Sequence, residues 1–116
     1  MTLEDVIGTL DLKPHPEGGW YAETHRTPDP HDHGHRSPGT AIYYVLGEGD
    51  RSHWHKVDAT EIWHYYSGAP LELSLAVTEK SKAKTRILGP DIAAGQRPQL
   101  VVPPHHWQAA RTLGAW

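Results

Sequence analysis

A chain of 116 residues with a formal net charge of −3 and a mean hydropathy of −0.62 has room for one domain built on one modest core. Its 11 Lys and Arg are scattered rather than gathered into a basic stripe, which argues against a nucleic-acid partner, and the lack of cysteine excludes both a disulfide framework and a thiolate zinc site. No apolar run approaches the roughly twenty residues a membrane helix needs, and the first ten residues lack a signal peptide's basic and apolar regions, so the chain reads as soluble and cytoplasmic.

Thr2, followed by Glu4, Asp5 and the apolar Val6, Ile7 and Leu10, predicts a short capped helix from Thr2 to Leu10. Ten prolines and eleven glycines then break the chain into short pieces, the pattern of an all-β domain. Strands are expected at Gly19 to Arg26, Thr40 to Leu46, Arg51 to His55, Glu61 to Ser67, Leu71 to Val77, Thr85 to Leu88, Gln99 to Val102 and Trp107 to Arg111. Leu71, Leu73, Leu75 and Val77 alternate with Glu72, Ser74 and Ala76, as in a strand with one buried face. Strands at this spacing suit a barrel or jelly roll, which closes or doubles the sheet and so hides its edges. Between Thr27 and Pro38, His31, His33 and His35 sit among turn formers and carboxylates. That stretch reads as a solvated loop that collects nickel or zinc only adventitiously, because a loop does not hold ligands in preorganised geometry.

The segment from Gly47 to Gly68 carries the most chemistry. His53 and His55 are two apart, and in a regular strand such residues share a face. With Glu61 from the next strand they would converge on a space the size of an ion or a small ligand. Imidazole and carboxylate suit zinc, iron, nickel or manganese, and equally suit metal-free acid–base chemistry, with His55 as the proton-transfer residue and Glu61 holding its tautomer. His64 is one residue off the Glu61–Trp63 face, so alternation sends it outward. Five Trp and five Tyr with no Phe supply rings with polar handles, common where a ring meets a polar ligand or an interface. Trp63 and Trp107 are the first choices for pocket walls, with Tyr43 among the other rings. Arg26, with Glu23, suits an anionic or hydroxylated substrate or else a surface ion pair.

The order of Gly47, His53-Trp54-His55, Glu61 and Gly68 resembles the first motif of the cupin superfamily, although five residues separate His55 from Glu61 where three or four are usual. The match extends through Pro14-His15-Pro16-Glu17-Gly18-Gly19-Trp20-Tyr21, Glu23-Thr24, Arg26, Thr40 to Tyr44, Glu61 to His64, Pro98 to Pro103, and Trp107 to Ala110. Together these resemble a small bacterial and fungal cupin family long catalogued as a domain of unknown function. The resemblance implies a single domain over residues 1–116: an RmlC-like jelly-roll β-barrel of two antiparallel sheets after a short N-terminal helix. It also implies a further strand and tail beyond Gly114 to Trp116, expected to be absent here. Carried over by motif, the site is His53, His55, Glu61 and Gln108, the last standing where a histidine is usual. These four are expected to hold one divalent metal ion, or else, as in metal-free epimerases and isomerases of the superfamily, His55 and Glu61 are expected to work as acid and base. An isomerase, epimerase, cyclase or lyase acting on a small polar metabolite is the expected activity. The alternatives are a non-catalytic module for a sugar- or nucleotide-like ligand and, third, a metal-dependent oxygenase. The marginal core and the surplus of Trp and Tyr point to a homodimer.

Overall fold

The computed structural model describes residues 1–29 and 37–116; His31, His33 and His35 lie outside the described residues. Helix α1 spans Leu3–Leu10 behind Thr2, whose side chain accepts from the Asp5 N–H (3.2 Å) while the Asp5 carboxylate accepts from the Thr2 N–H (2.9 Å). This reciprocal pair satisfies two of the donors that every helix start leaves free. Asp11, in the left-handed region at φ 53°, ends the helix, and Val6 is its buried residue.

Among the described residues nine strands follow: β1 (Lys13–Pro14), β2 (Trp20–Arg26), β3 (Thr40–Val45), β4 (Ser52–Lys56), β5 (Glu61–His64), β6 (Leu71–Ala76), β7 (Lys84–Leu88), β8 (Gln99–Val102) and β9 (Trp107–Thr112). All eight expected runs form strands. The two-residue β1 and the 3-10 turn at Ile92–Ala94 were not expected, being too short to show a hydrophobic period. The strands pair antiparallel in three ladders, β1-β2-β3, β4-β9-β6-β7 and β5-β8.

One core joins the three ladders. Leu46, Leu73, Leu88, Leu100, Val102 and Ala110 are buried together, with Tyr44, Trp63, Tyr65, Leu71 and Leu75 packed against them. The alternation read in β6 holds for Leu71, Leu73 and Leu75, which face this core, while Glu72 lies on the opposite face and meets Arg111 of β9 at 3.0 Å. It fails at the end, where the strand stops at Ala76, which is buried, and Val77 is 64% exposed. Pairing register carries the inner face across the four-stranded ladder, so Ser52, Ala110 and Leu73 form one row and His55, Gln108 and Leu75 the next. Two polar side chains thereby enter an apolar interior. Leu73 is fully buried at the centre, so Leu73→Ala should cost about 2–5 kcal/mol of stability; a urea midpoint close to wild type would show that this core is not the one holding the ladders together.

Candidate functional site

Gln108 is 1% exposed, and a buried amide must find partners for both its donor and its acceptor. It does so on β5. The Trp63 indole N–H donates to Gln108 Oε1 (3.0 Å), and Gln108 Nε2 donates to Glu61 Oε2 (3.0 Å). An indole only donates and a carboxylate only accepts, so the amide's orientation follows from its neighbours. Glu61 and Trp63 share a face of β5 because they are two apart, paired with Val102 and Leu100 of the core. The longer gap between His55 and Glu61 is taken up by the turn at 57–60, where the Val57 carbonyl accepts from the His105 N–H, and Glu61 still faces Gln108.

The His53–His55 pair does not follow simple alternation. Ser52 pairs with Ala110 and His55 with Gln108, three steps on β4 against two on β9, so β4 carries a bulge. The bulge keeps both Ser52 and His55 in inner rows and leaves His53 and Trp54 exposed. The His55 ring is oriented by backbone: its Nδ1 lies 2.7 Å from the His53 carbonyl oxygen. A carbonyl only accepts, so Nδ1 carries a proton and the neutral ring keeps its lone pair on Nε2. This carbonyl, rather than Glu61, sets the tautomer.

The turn between β1 and β2 brings a residue that spacing alone did not single out. Within it, His15 Nδ1 accepts from the Glu17 N–H (2.9 Å), the His15 N–H donates to Gly19 O (2.9 Å), and Glu17 O accepts from the His53 N–H (2.7 Å). The turn presses so closely on the following strands that a Cβ on Gly18 (φ 107°) would lie 1.8 Å from the Arg51 carbonyl oxygen, so only glycine fits. The His15 ring meets Tyr21 and Tyr44 edge-on, with centroids at 4.9 and 5.1 Å, and Tyr44 in turn meets Trp63 at 5.8 Å. Burial holds the His15 pKa below its ordinary value; the charges of Glu17, His55 and Glu61 also reach it, the carboxylates raising it and His55 lowering it. Burial likewise raises the Tyr44 phenol, partly offset by the Ser52 hydroxyl, with Glu17, Asp50 and Glu61 adding to the rise. The Tyr44 hydroxyl donates to Gly18 O. The signal for His15 was present in Pro14 to Gly19, a histidine in a tight turn with two successive glycines, but nothing local says what that turn leans on.

The other candidates lie elsewhere. Trp107 occupies the face of β9 opposite Gln108, in a row with Lys56 and Ala76, and the Lys56 ammonium sits 5.4 Å from its ring centroid. Of the two expected walls, Trp63 adjoins Glu61 and Gln108 and Trp107 does not. Tyr43 alternates away from Tyr44 and is exposed, meeting Tyr66 edge-on at 6.3 Å. Arg26 forms a two-bonded pair with Glu23 at 2.8 Å on the surface. His64 is on the outer face, as alternation required, stacked on Tyr66 and 3.3 Å from Gln99 Nε2. Two open clefts, of about 340 and 430 Å³, lie away from the cluster, one along Glu48–Arg51 and Arg111–Gly114 and one between α1 and Trp116. Neither gathers the histidines, Glu61 and Gln108, and the inner cluster is the candidate because its polar groups converge.

Among the described residues no three His, Asp or Glu side chains are grouped so as to hold a metal ion. Of the donors expected for one, Gln108 Oε1 is held by the indole, Glu61 Oε2 by the amide and His53 is exposed on the bulge, whereas His55 keeps its Nε2 lone pair. What the cluster offers as arranged is imidazole, carboxylate and phenol. Gln108→Leu would leave the indole N–H and the Glu61 carboxylate facing a methyl group; a loss of about 1–3 kcal/mol is expected in urea unfolding, and no loss would mean that the amide bridge carries no weight.

The sequence matches the model of the family described as Cupin superfamily (DUF985) over residues 4–116. It is similar to an X-ray crystal structure of a Shewanella oneidensis protein, with 31% identity and a TM-score of 0.90, covering 99% of this chain and 72% of that one. It is also similar to a hypothetical protein from Leishmania major, with 28% identity and a TM-score of 0.85, covering 96% of this chain and 70% of that one. No curated protein matches. The short capped helix, the antiparallel jelly-roll strands around one core and the match over nearly the whole length agree: this chain belongs to the DUF985 family of the cupin superfamily.

Proposed function

We propose that this cupin binds a small polar metabolite in its barrel and moves a proton on it, as an isomerase or epimerase does, with His55 as the base. The observation that carries this is the His55–Gln108–Leu75 row, where an imidazole stands beside a fully bonded amide that holds Glu61 and Trp63 in place. His55 Nε2 presents a lone pair from a ring oriented by backbone, the state a general base needs before it acts. Gln108 holds the Glu61 carboxylate in the same interior, where it can accept a hydrogen bond from a ligand hydroxyl. Trp63 and Tyr44 offer ring faces and edges against which a sugar-like ligand packs. Cyclase and lyase chemistry begin with the same proton removal and belong to the same reading.

The test is solvent exchange. Protein purified without a His tag and incubated in D2O with small aldoses, ketoses and 2-keto acids should place deuterium on the carbon next to the carbonyl. His55→Ala should slow this by about 10²–10⁴-fold while leaving the fold intact. Saturable binding with no exchange would leave the non-catalytic module instead. Near-stoichiometric metal in the untagged protein would bring His53, His55, Glu61 and Gln108 back as ligands and revive the oxygenase.

We further propose that the protein is a homodimer. On the outer face of β5 and β8, Ile62 (51% exposed) pairs with Val101 (54% exposed), and His64 on the same face stacks on Tyr66 (71% exposed), which meets Tyr43. These form one apolar and aromatic strip on a small domain that buries a limited share of its own surface. Light scattering at micromolar concentration should give twice the chain mass, and Ile62→Lys should shift it to one; a wild-type monomer would end this proposal.

A further inference from the structure

We propose that His15 is the hydrogen-bond donor of the site, holding an acceptor oxygen of the substrate through Nε2–H while His55 Nε2 offers its lone pair. This rests on the proton-transfer reading and deepens it. The two rings are set in opposite tautomers by backbone groups. His15 Nδ1 accepts from the Glu17 N–H, which places the neutral ring's proton on Nε2. His55 Nδ1 donates to the His53 carbonyl, which leaves Nε2 bare. The same strand fixes both, because the His53 N–H holds Glu17 O and so the turn that orients His15. Burial lowers the His15 pKa, which favours the neutral ring. Contacts run from His15 to Tyr44 (5.1 Å), from Tyr44 to Trp63 (5.8 Å) and from Trp63 to Gln108 (3.0 Å), whose row His55 shares. Among the described residues no hydrogen bond is made by His15 Nε2 or by His55 Nε2.

A donor beside a base suits a compound whose carbonyl oxygen neighbours a carbon-bound proton, such as an α-hydroxycarbonyl. His55 Nε2 takes the proton from that carbon and becomes an imidazolium; the C–H pair becomes the C=C bond of an enediolate, and the carbonyl π pair moves onto oxygen. The His15 Nε2–H stabilises that oxygen, as a neutral donor aimed at developing charge does. Returning the proton to carbon completes the cycle with no oxidant or reductant consumed.

His15→Asn separates this role from a merely structural one. The Asn side-chain oxygen can accept the Glu17 N–H in the same turn, so the fold is kept while the Nε2–H donor is lost. Deuterium exchange into hydroxyacetone and glyceraldehyde should fall by about 10²-fold. In wild-type protein, ring-nitrogen NMR should show the proton on Nε2 of His15 and on Nδ1 of His55. Exchange lost in His55→Ala but kept in His15→Asn, or a proton found on His15 Nδ1, would overturn this role while leaving His55 as base. No exchange by the wild-type protein would overturn the proton-transfer reading itself and this role with it. Should the Asn variant fail to fold, the wild-type ring-nitrogen spectrum still decides.

Discussion

Gln108 is a polar side chain buried among leucines, and the requirement that it be satisfied organises the inside of this barrel. Its oxygen and nitrogen face in different directions and need different partners, an indole donor and a carboxylate acceptor. Both come from β5, which is hydrogen-bonded not to β9 but to β8. The amide therefore does across the interior what a backbone ladder does within a sheet: it ties one ladder to another at a chosen register. Shifting β5 by one residue would bring Ile62 to the amide in place of its partners and leave the amide oxygen and nitrogen unpaired in a region where each is costly.

A second constraint couples the N-terminal turn to β4. The turn from His15 to Gly19 can lie against Arg51 and Val45 only because Gly18 and Gly19 have no side chains to collide. What it gains is a backbone bond to His53 and an aromatic seat for His15 between Tyr21 and Tyr44. The β4 bulge sits at the same point, turning His55 into the Gln108 row while Ser52 also stays inside. Bulges gather where a side chain must be re-aimed at a cost in regular pairing, and this one aims the residue with the free lone pair.

The aromatic residues divide by face, and the division matters more than their number. Tyr44 and Trp63 look inward and touch the cluster; Tyr43, Tyr66 and Trp107 look outward. Adjacent rings such as Tyr43 and Tyr44 thus serve different surfaces, one offered to solvent or a partner and the other to the interior. A residue list by type would assign them to the same pocket. Strand pleating assigns them to opposite sides.

By itself the sequence determined the elements and their order. The cap at Thr2, the alternation in β6 and the turn residues between strands act over a few neighbours, so they are legible locally, and the ordered motifs carried the cupin family with them. It also brought Glu61 and Gln108 forward together with His55, because motif spacing encodes inward positions. Only the tertiary structure decided how these groups are used. Whether His53 shares a face with His55 depended on a bulge that is visible only against β9; whether Trp107 or Trp63 adjoins Gln108 depended on register with β5 and β6; and His15 joined the cluster through a turn leaning on strands far along the chain. The physical reason is range. Propensity, capping and pleat are set by neighbours along the chain, whereas hydrogen-bond partners and tautomers are set by neighbours in space, and those exist only once the barrel has closed.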